Sequence, residues 1–438
     1  MQRKPTLLLS TLCIVTWAGC ATTTPDTPLS PAQQYVGFAL RACDNAERQL
    51  PEMIRVAEIV ADRHIRGGVI GFPRDAWYVG HGLEEELWGR SGQIIHVSFD
   101  RPWKKERTEA EKANDILIMG WRKEPNPGDL DLLRGFKARQ CYLIGFGPRT
   151  LPALAEHAKL CDAWFDTGYG NDDRAVQLAD GSLAGRGNLL NNALNAWALM
   201  GEVIAACTRR GRMPTIGKSF SYADGLEWWN RYFQKQQFHD EFQIAPIPRG
   251  RLGREYLDRI RALIRKYERT QLPVVNKTVD LIAAELEQGR KTVVAAMGHM
   301  SWAFVAKDEA VAWAVAPKTG LHYNLDGEVA IYNKEAPDGA LVLRVGYSGH
   351  HREDDAILRK KRQRVMLITS ENPRPEWQLP DDLLTVIDMG WEFGDACVRI
   401  PGYPIRCLPP SGVMQLVAYE TINVEVLARI KGTSAVHP

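Results

Sequence analysis

Asp115-Ile-Leu-Ile-Met-Gly120 and Ala340-Leu-Val-Leu-Arg-Val-Gly346 read as two copies of one element. Ala163-Trp-Phe-Asp-Thr-Gly168 and Thr385-Val-Ile-Asp-Met-Gly390 read as two copies of another. Each is a short apolar, β-branched run closed by glycine, the signature of a strand ending in a sharp turn. The order of elements around them also repeats, and a repeat has to be recognised before any fold is assigned. In the first half, helical periodicity over 35–63 precedes a β-branched run at 68–71 and a helix at about 77–88. Strands at 93–99 and 115–119, a helix over 129–138, strands at 140–145 and 163–166, and a helix over 188–207 complete the unit. The second half replays this with a helix over 274–287, a strand at 292–297, a helix from about 301 to 315 and a strand at 340–345. A helix over 354–361, strands at 364–369 and 384–388, and a closing helix over 413–430 follow. Strands alternating with helices of this length specify an α/β fold: two tandem doubly wound units, each a parallel sheet covered on both faces.

Working outward, the chain divides into 1–20, 21–33, a first unit over 34–208, a connector over 209–270 and a second unit over 271–432. Gln2-Arg3-Lys4, the apolar run from Leu7 to Trp17 and the small Ala18-Gly19 have the order of a secretory signal. Cys20 directly after Trp17-Ala18-Gly19 resembles the bacterial lipobox, with Trp17 where an aliphatic residue is usual. The resemblance implies an exported envelope lipoprotein, held to the membrane only by lipid on Cys20. The Thr- and Pro-rich 21–33 segment reads as its tether. The apolar run is shorter than the roughly 20 residues that span a bilayer, so the mature domain is expected to be soluble.

Of 438 residues, 45% are hydrophobic and 25% charged, a globular balance. Basic side chains number 55 against 53 acidic ones, which leaves no global field to attract nucleic acid. Apart from Cys13 and Cys20, the cysteines Cys43, Cys141, Cys161, Cys207, Cys397 and Cys407 lack zinc-site spacing, and no turn carries the three-glycine dinucleotide fingerprint. No metal and no cofactor are therefore expected. Cys397 and Cys407, joined by a loop containing Pro401, Gly402 and Pro404, read equally as a disulfide or as buried thiols. In the connector, Trp228, Trp229, Tyr232 and Phe233 read as packing aromatics, with carbohydrate stacking as the alternative, and the arginines of 251–269 are expected to face water.

Ligands of open parallel sheets lie beyond the carboxyl ends of the strands. In the second unit the loops there are Gly298-His299-Met300-Ser301 and Gly346-Tyr347-Ser348-Gly349-His350-His351. Glycine and a hydroxyl ahead of a helix N-terminus suit an anion, because the backbone N–H groups point at it. These stretches resemble the two phosphosugar loops of the sugar isomerase (SIS) family, Gly-x-Gly-x-Ser and Ser-x-Ser-Gly-x-Thr. Val413-Met-Gln-Leu-Val-Ala-Tyr419 is similar to the closing helix of the isomerase half of glutamine–fructose-6-phosphate amidotransferases, which also hold two such units. The resemblance implies a SIS-like, flavodoxin-like fold, a sugar or sugar-phosphate ligand met by Gly298, Ser301, Ser348, Gly349, His350 and His351, and homodimers. The first unit departs from the pattern: its loops read Gly71-Phe-Pro-Arg74-Asp75 and Gly120-Trp-Arg122-Lys123, without the hydroxyl residues. Arg74, Arg122 and Lys123 either hold an anion by charge or are solvated cations of a degenerate unit.

Aldose–ketose isomerisation, which the resemblance implies for part of the family, needs a carboxylate to move a proton and a group to open the ring. The candidates are Glu328, with Asp308, Glu309 and Glu420 on helices, and His299 and His322 for ring opening, since histidine exchanges protons near neutrality. The sequence thus supports an exported protein that binds an anionic sugar derivative and isomerises it, or a non-catalytic envelope protein that binds a carbohydrate derivative.

Overall fold

The computed structural model describes residues 28–72, 83–87, 89–95, 97–99, 106–168, 173–233, 235–296, 312–315, 335–346, 352–370 and 383–434. The first unit opens with α1 (Pro31–Ile65), which starts earlier than the periodicity predicts. Ser30 caps it in a reciprocal box with Gln33, and Pro31 supplies the first-turn φ, so the expected tether gives way to helix three residues before its predicted end at 33. Strands β1 (Ile70–Phe72), β2 (Val97–Ser98), β3 (Ile116–Gly120), β4 (Tyr142–Gly147) and β5 (Ala163–Asp166) form an all-parallel sheet in the order β2-β1-β3-β4-β5. Helices α2 (Leu83–Leu87), α3 (Glu109–Lys112), α4 (Asp129–Ala138) and α5 (Ala155–Leu160) lie between them, and α6 (Asn188–Arg209) closes the unit. The hairpin of β6 (Val176–Gln177) and β7 (Leu183–Ala184) precedes α6. The connector contributes β8 (Met213–Pro214), α7 (Gly225–Tyr232) and β9 (Phe238–His239), β8 pairing antiparallel with β9.

Helix α8 (Arg251–Glu287) runs unbroken through Pro273, so the boundary predicted at 270 falls inside one helix. The second sheet comprises β10 (Thr292–Ala296), β11 (Ala314–Val315), β12 (Leu341–Val345), β13 (Arg364–Thr369) and β14 (Leu384–Asp388). Its order, β11-β10-β12-β13-β14, copies the first, again with every pairing parallel. Helix α9 (Arg352–Lys361) precedes β13, and α10 (Ser411–Ser434) closes the unit.

The repeat extends to individual hydrogen bonds. Gln49 of α1 brackets the backbone of Asp166, its Nε2 donating to the carbonyl at 2.9 Å and its Oε1 accepting the N–H at 2.9 Å. Gln271 of α8 accepts the Asp388 N–H at 3.0 Å. Both glutamines begin the tripeptide Gln-Leu-Pro, at 49–51 and 271–273, whose proline sits inside a long helix. Beyond each bracketed strand the Asp side chain accepts the N–H of Gly168 or Gly390, both at positive φ, closing the same tight turn.

Helices α1, α6, α8 and α10 pack on one another between the two sheets. Their buried faces join the inner faces of both sheets in one core that contains Tyr35, Trp197, Tyr256, Trp313 and Tyr419. Asn188 to Thr208 of α6 are all buried, as befits a central helix surrounded by protein. Separate clusters cover the outer faces, one with Trp121, Leu133 and Phe136 and the other with Val342, Leu358 and Leu367. One predicted correspondence moves by a residue. Ile116 pairs with Tyr142 and Leu341 with Arg364, which puts Trp121, rather than Gly120, in the place of Gly346.

Candidate functional site

Buried polar groups stand at the carboxyl ends of both sheets. Gly298, His299, Ser301, His322, Glu328, Ser348, Gly349, His350 and His351 lie outside the described residues, as do Cys20, Arg74, Asp75, Asp308 and Glu309. The described part of the second unit's edge is the root of the 346–351 loop. The Gly346 N–H donates to the Ile368 carbonyl at 2.9 Å, and its carbonyl accepts Gln415 Nε2 at 3.0 Å. Beside it, the Ser370 hydroxyl donates to the Trp391 carbonyl at 2.5 Å.

Gln415 stands one turn into α10, whose start is held by a buried network drawn from both units. Asp395 Oδ1 accepts the Ser411 N–H at 3.1 Å, and its Oδ2 accepts the Ser411 hydroxyl at 2.7 Å. Arg90, from the first unit, donates to Ser411 Oγ at 2.6 Å and lies 3.4 Å from Asp395. Its other terminal nitrogen meets Glu86 Oε2 at 2.5 Å, while Trp197 Nε1 holds Glu86 Oε1 at 2.8 Å. Burial raises Asp395 to about 6 against the pull of Arg90, and burial also raises Glu86. One guanidinium thus serves two carboxylates in a region without solvent.

The first unit builds the matching edge from its own residues. Asp173 accepts the N–H groups of Gly187 at 3.0 Å and Asn188 at 2.5 Å, capping α6 where an anion would otherwise sit. Arg122 lies 4.0 Å from it, and burial raises Asp173 despite that cation. Asn188 and Asn192 donate to the carbonyls of Arg122 at 2.7 Å and Trp121 at 3.0 Å, so Asn192 repeats the contact of Gln415. Arg122 thus has a buried carboxylate at the limit of ion-pair distance, and Lys123 is exposed.

Two expectations change, and one pair of alternatives is resolved. Glu420 is not a surface carboxylate: it is buried in α10, 3.4 Å from the buried Arg186, and accepts Asn423 Nδ2 at 3.0 Å. Both partners of this ion pair are buried. The connector arginines do not all face water, because Arg261 of α8 reaches Asp44 at 2.9 Å and Glu47 at 2.5 Å on α1. Cys397 and Cys407 are free thiols. Val398 opposes Cys407 in an antiparallel bridge, so the Cys397 side chain leaves on the opposite face, and burial pushes both thiols up. The connector aromatics pack as expected. Trp228 Nε1 donates to Ile216 O at 2.7 Å and Trp229 Nε1 to Lys218 O at 2.6 Å, leaving neither indole N–H for a sugar.

Sequence reasoning missed Glu86, Arg90, Asp395, Ser411, Gln415 and the Arg186–Glu420 pair. Two signals were available: the repeated Gln-Leu-Pro, and the equal spacing of Asp166 to Asp173 and Asp388 to Asp395. Arg90 had none, because its partner belongs to the other unit.

No family model matches the chain, and no curated protein does. Among solved structures, a Clostridium difficile 630 protein assigned as a phosphosugar isomerase superposes with TM-score 0.50 at 11% identity, over 92% of this chain and 94% of that one. The C-terminal domain of glucosamine-fructose-6-phosphate aminotransferase from Francisella tularensis gives 0.48 at 11% identity, over 90% and 96%. A Salmonella typhimurium LT2 protein assigned as sugar-binding gives 0.48 at 10% identity, over 91% and 98%. The chain has the tandem sugar isomerase fold that its loops resemble, and at such identities the likeness shows the fold alone.

Proposed function

We propose that this chain binds a sugar derivative carrying an anionic group at the carboxyl edge of the second sheet, through Gly298, Ser301 and the Ser348-Gly349-His350-His351 stretch. The observation that carries the reading is the asymmetry of the two edges. In the first unit, the stretch at the end of β3 reads Gly120-Trp-Arg122-Lys123, without a hydroxyl residue. In the second, a fixed carbonyl at Gly346 roots a loop of glycine, serine and histidine between β12 and α9. Such a loop offers N–H and hydroxyl donors to an anion. Export and lipidation at Cys20 belong to the same proposal and direct attention to envelope sugars.

Calorimetric titration of the mature chain with glucose 6-phosphate, fructose 6-phosphate and their neutral parents tests it. Preference for the phosphorylated forms, weakened roughly tenfold by Ser348→Ala, is expected for the loss of one charge-assisted contact. Equal affinity for neutral sugars, unaffected by that change, would favour a neutral-carbohydrate binder and overturn the anionic reading. Interconversion of the two phosphates followed by NMR, abolished by Glu328→Gln, would make the protein an isomerase. Binding without turnover would make it a non-catalytic receptor. Loss of lipid from the intact mass of Cys20→Ala tests the anchor.

A further inference from the structure

We propose that Arg90, carried by the first unit, is a positioning residue for the ligand loop of the second, acting through Ser411, the first turn of α10 and Gln415 on the carbonyl of Gly346. The proposal rests on the reading that the 346–351 loop meets the ligand.

The line of contact is continuous. Trp197 of α6 fixes Glu86 at 2.8 Å, and Glu86 fixes the Arg90 guanidinium at 2.5 Å. Arg90 donates to the Ser411 hydroxyl at 2.6 Å, and that hydroxyl donates to Asp395 at 2.7 Å. Ser411 begins α10, and one turn later Gln415 donates to Gly346 O at 3.0 Å. Among the described residues the buried Gln415 Oε1 atom has no partner, so this side chain has a single hold there and goes where its helical turn goes. The contact with Arg90 is tight: a Cβ on Gly412 would lie 2.1 Å from Glu86 Oε2 and 2.2 Å from Arg90 Nη2. The first turn of α10 is thus pressed onto the Glu86–Arg90 pair, and displacement of the guanidinium frees the turn to shift.

The first unit needs no such help. Its capping aspartate, Asp173, has its own unit's Arg122 at 4.0 Å, and Asn192 reaches Trp121 O at 3.0 Å. The second unit takes the equivalent cation from its neighbour. A unit with degenerate loops thereby acquires a definite role, that of buttress to the ligand loop of the other.

The test titrates the full mature chain with glucose 6-phosphate, well below the melting temperature of each variant. Arg90→Met is expected to weaken binding roughly tenfold, the scale of one lost buried charged hydrogen bond. Arg90→Lys, which keeps the charge, recovers part of that loss. Ser411→Ala cuts the link with little change in packing and carries the test if Arg90→Met does not fold. Gln415→Met is expected to match Arg90→Met, and the double variant to lose no more than either, because both act on one carbonyl. Folded Arg90→Met or Ser411→Ala that binds like wild type, or losses that multiply in the double variant, overturns the proposal. Wild type that fails to bind glucose 6-phosphate overturns the functional reading and this proposal with it. An intact Ser348→Ala effect beside silent Arg90 and Ser411 variants removes this proposal alone.

Discussion

Asp395→Asn should change how the stability of the fold depends on pH. Asp395 is buried between Arg90 and the start of α10, with Glu86 contributing a second negative charge nearby, and burial lifts its pKa from the ordinary 3.8 to about 6. A raised folded-state pKa means that the native chain holds the proton more tightly than the unfolded one. The associated stability is fully present below pH 3.8 and is lost as pH rises through about 6. Two pKa units correspond to about 3 kcal/mol, at roughly 1.4 kcal/mol per unit. Asparagine cannot ionise, yet its side-chain oxygen can still accept the Ser411 N–H that Asp395 accepts at 3.1 Å. Urea denaturation of wild type and Asp395→Asn across pH 4.5 to 7.5 should therefore show the variant gaining about 2 kcal/mol on wild type as pH rises, because about a third of the full figure is already lost below pH 4.5. A difference that stays flat, or wild type gaining on the variant with rising pH, would show that the attraction of Arg90 outweighs burial and would refute the reasoning.

The other predictions concern the helical core and the edges of the sheets. Arg186→Met should cost about 3–5 kcal/mol, because it removes the buried cation facing Glu420, and Arg186→Met/Glu420→Leu should recover much of it; an additive double variant in urea titration would contradict a coupled pair. Gly68→Ala places a Cβ 2.0 Å from the backbone oxygen of Asn114, which cannot yield as a side chain can, so its melting temperature should fall by an amount equivalent to about 1–3 kcal/mol; an unchanged value would mean that the β1 edge is slack. Cys397 and Cys407 should resist a thiol reagent in the native chain and react once it is unfolded, whereas no reaction even when unfolded and unreduced would indicate a disulfide.

Much of the fold was legible in the sequence. The predicted spans of α4, β5, β13 and β14 coincide with the observed ones, because each is a short run with polar or glycine residues at or within two positions of its ends. The predicted end of α1 differed by two residues, and its start was missed because Ser30-Pro31 lies within a stretch whose composition suggests a tether. Pro273 divides the helical pattern of α8 in the sequence, although it and Pro51 of α1 follow the same Gln-Leu pair. Helical position by itself makes Glu420 read as a solvated charge. Only the arrival of Arg186 from before α6 reveals an enclosed pair.

By itself the sequence determined the repeat, the α/β class and the loss of hydroxyl loops in the first unit, since periodicity and residue type act over a few neighbouring positions. The tertiary structure alone decided which charges are committed. Arg122 meets Asp173, Arg186 meets Glu420, and Arg90 crosses to Asp395 and Ser411, partners 305 and 321 positions away in the chain. Electrostatic partnership depends on distance in space and exclusion of water, and both arise only when the two sheets close over their shared helices.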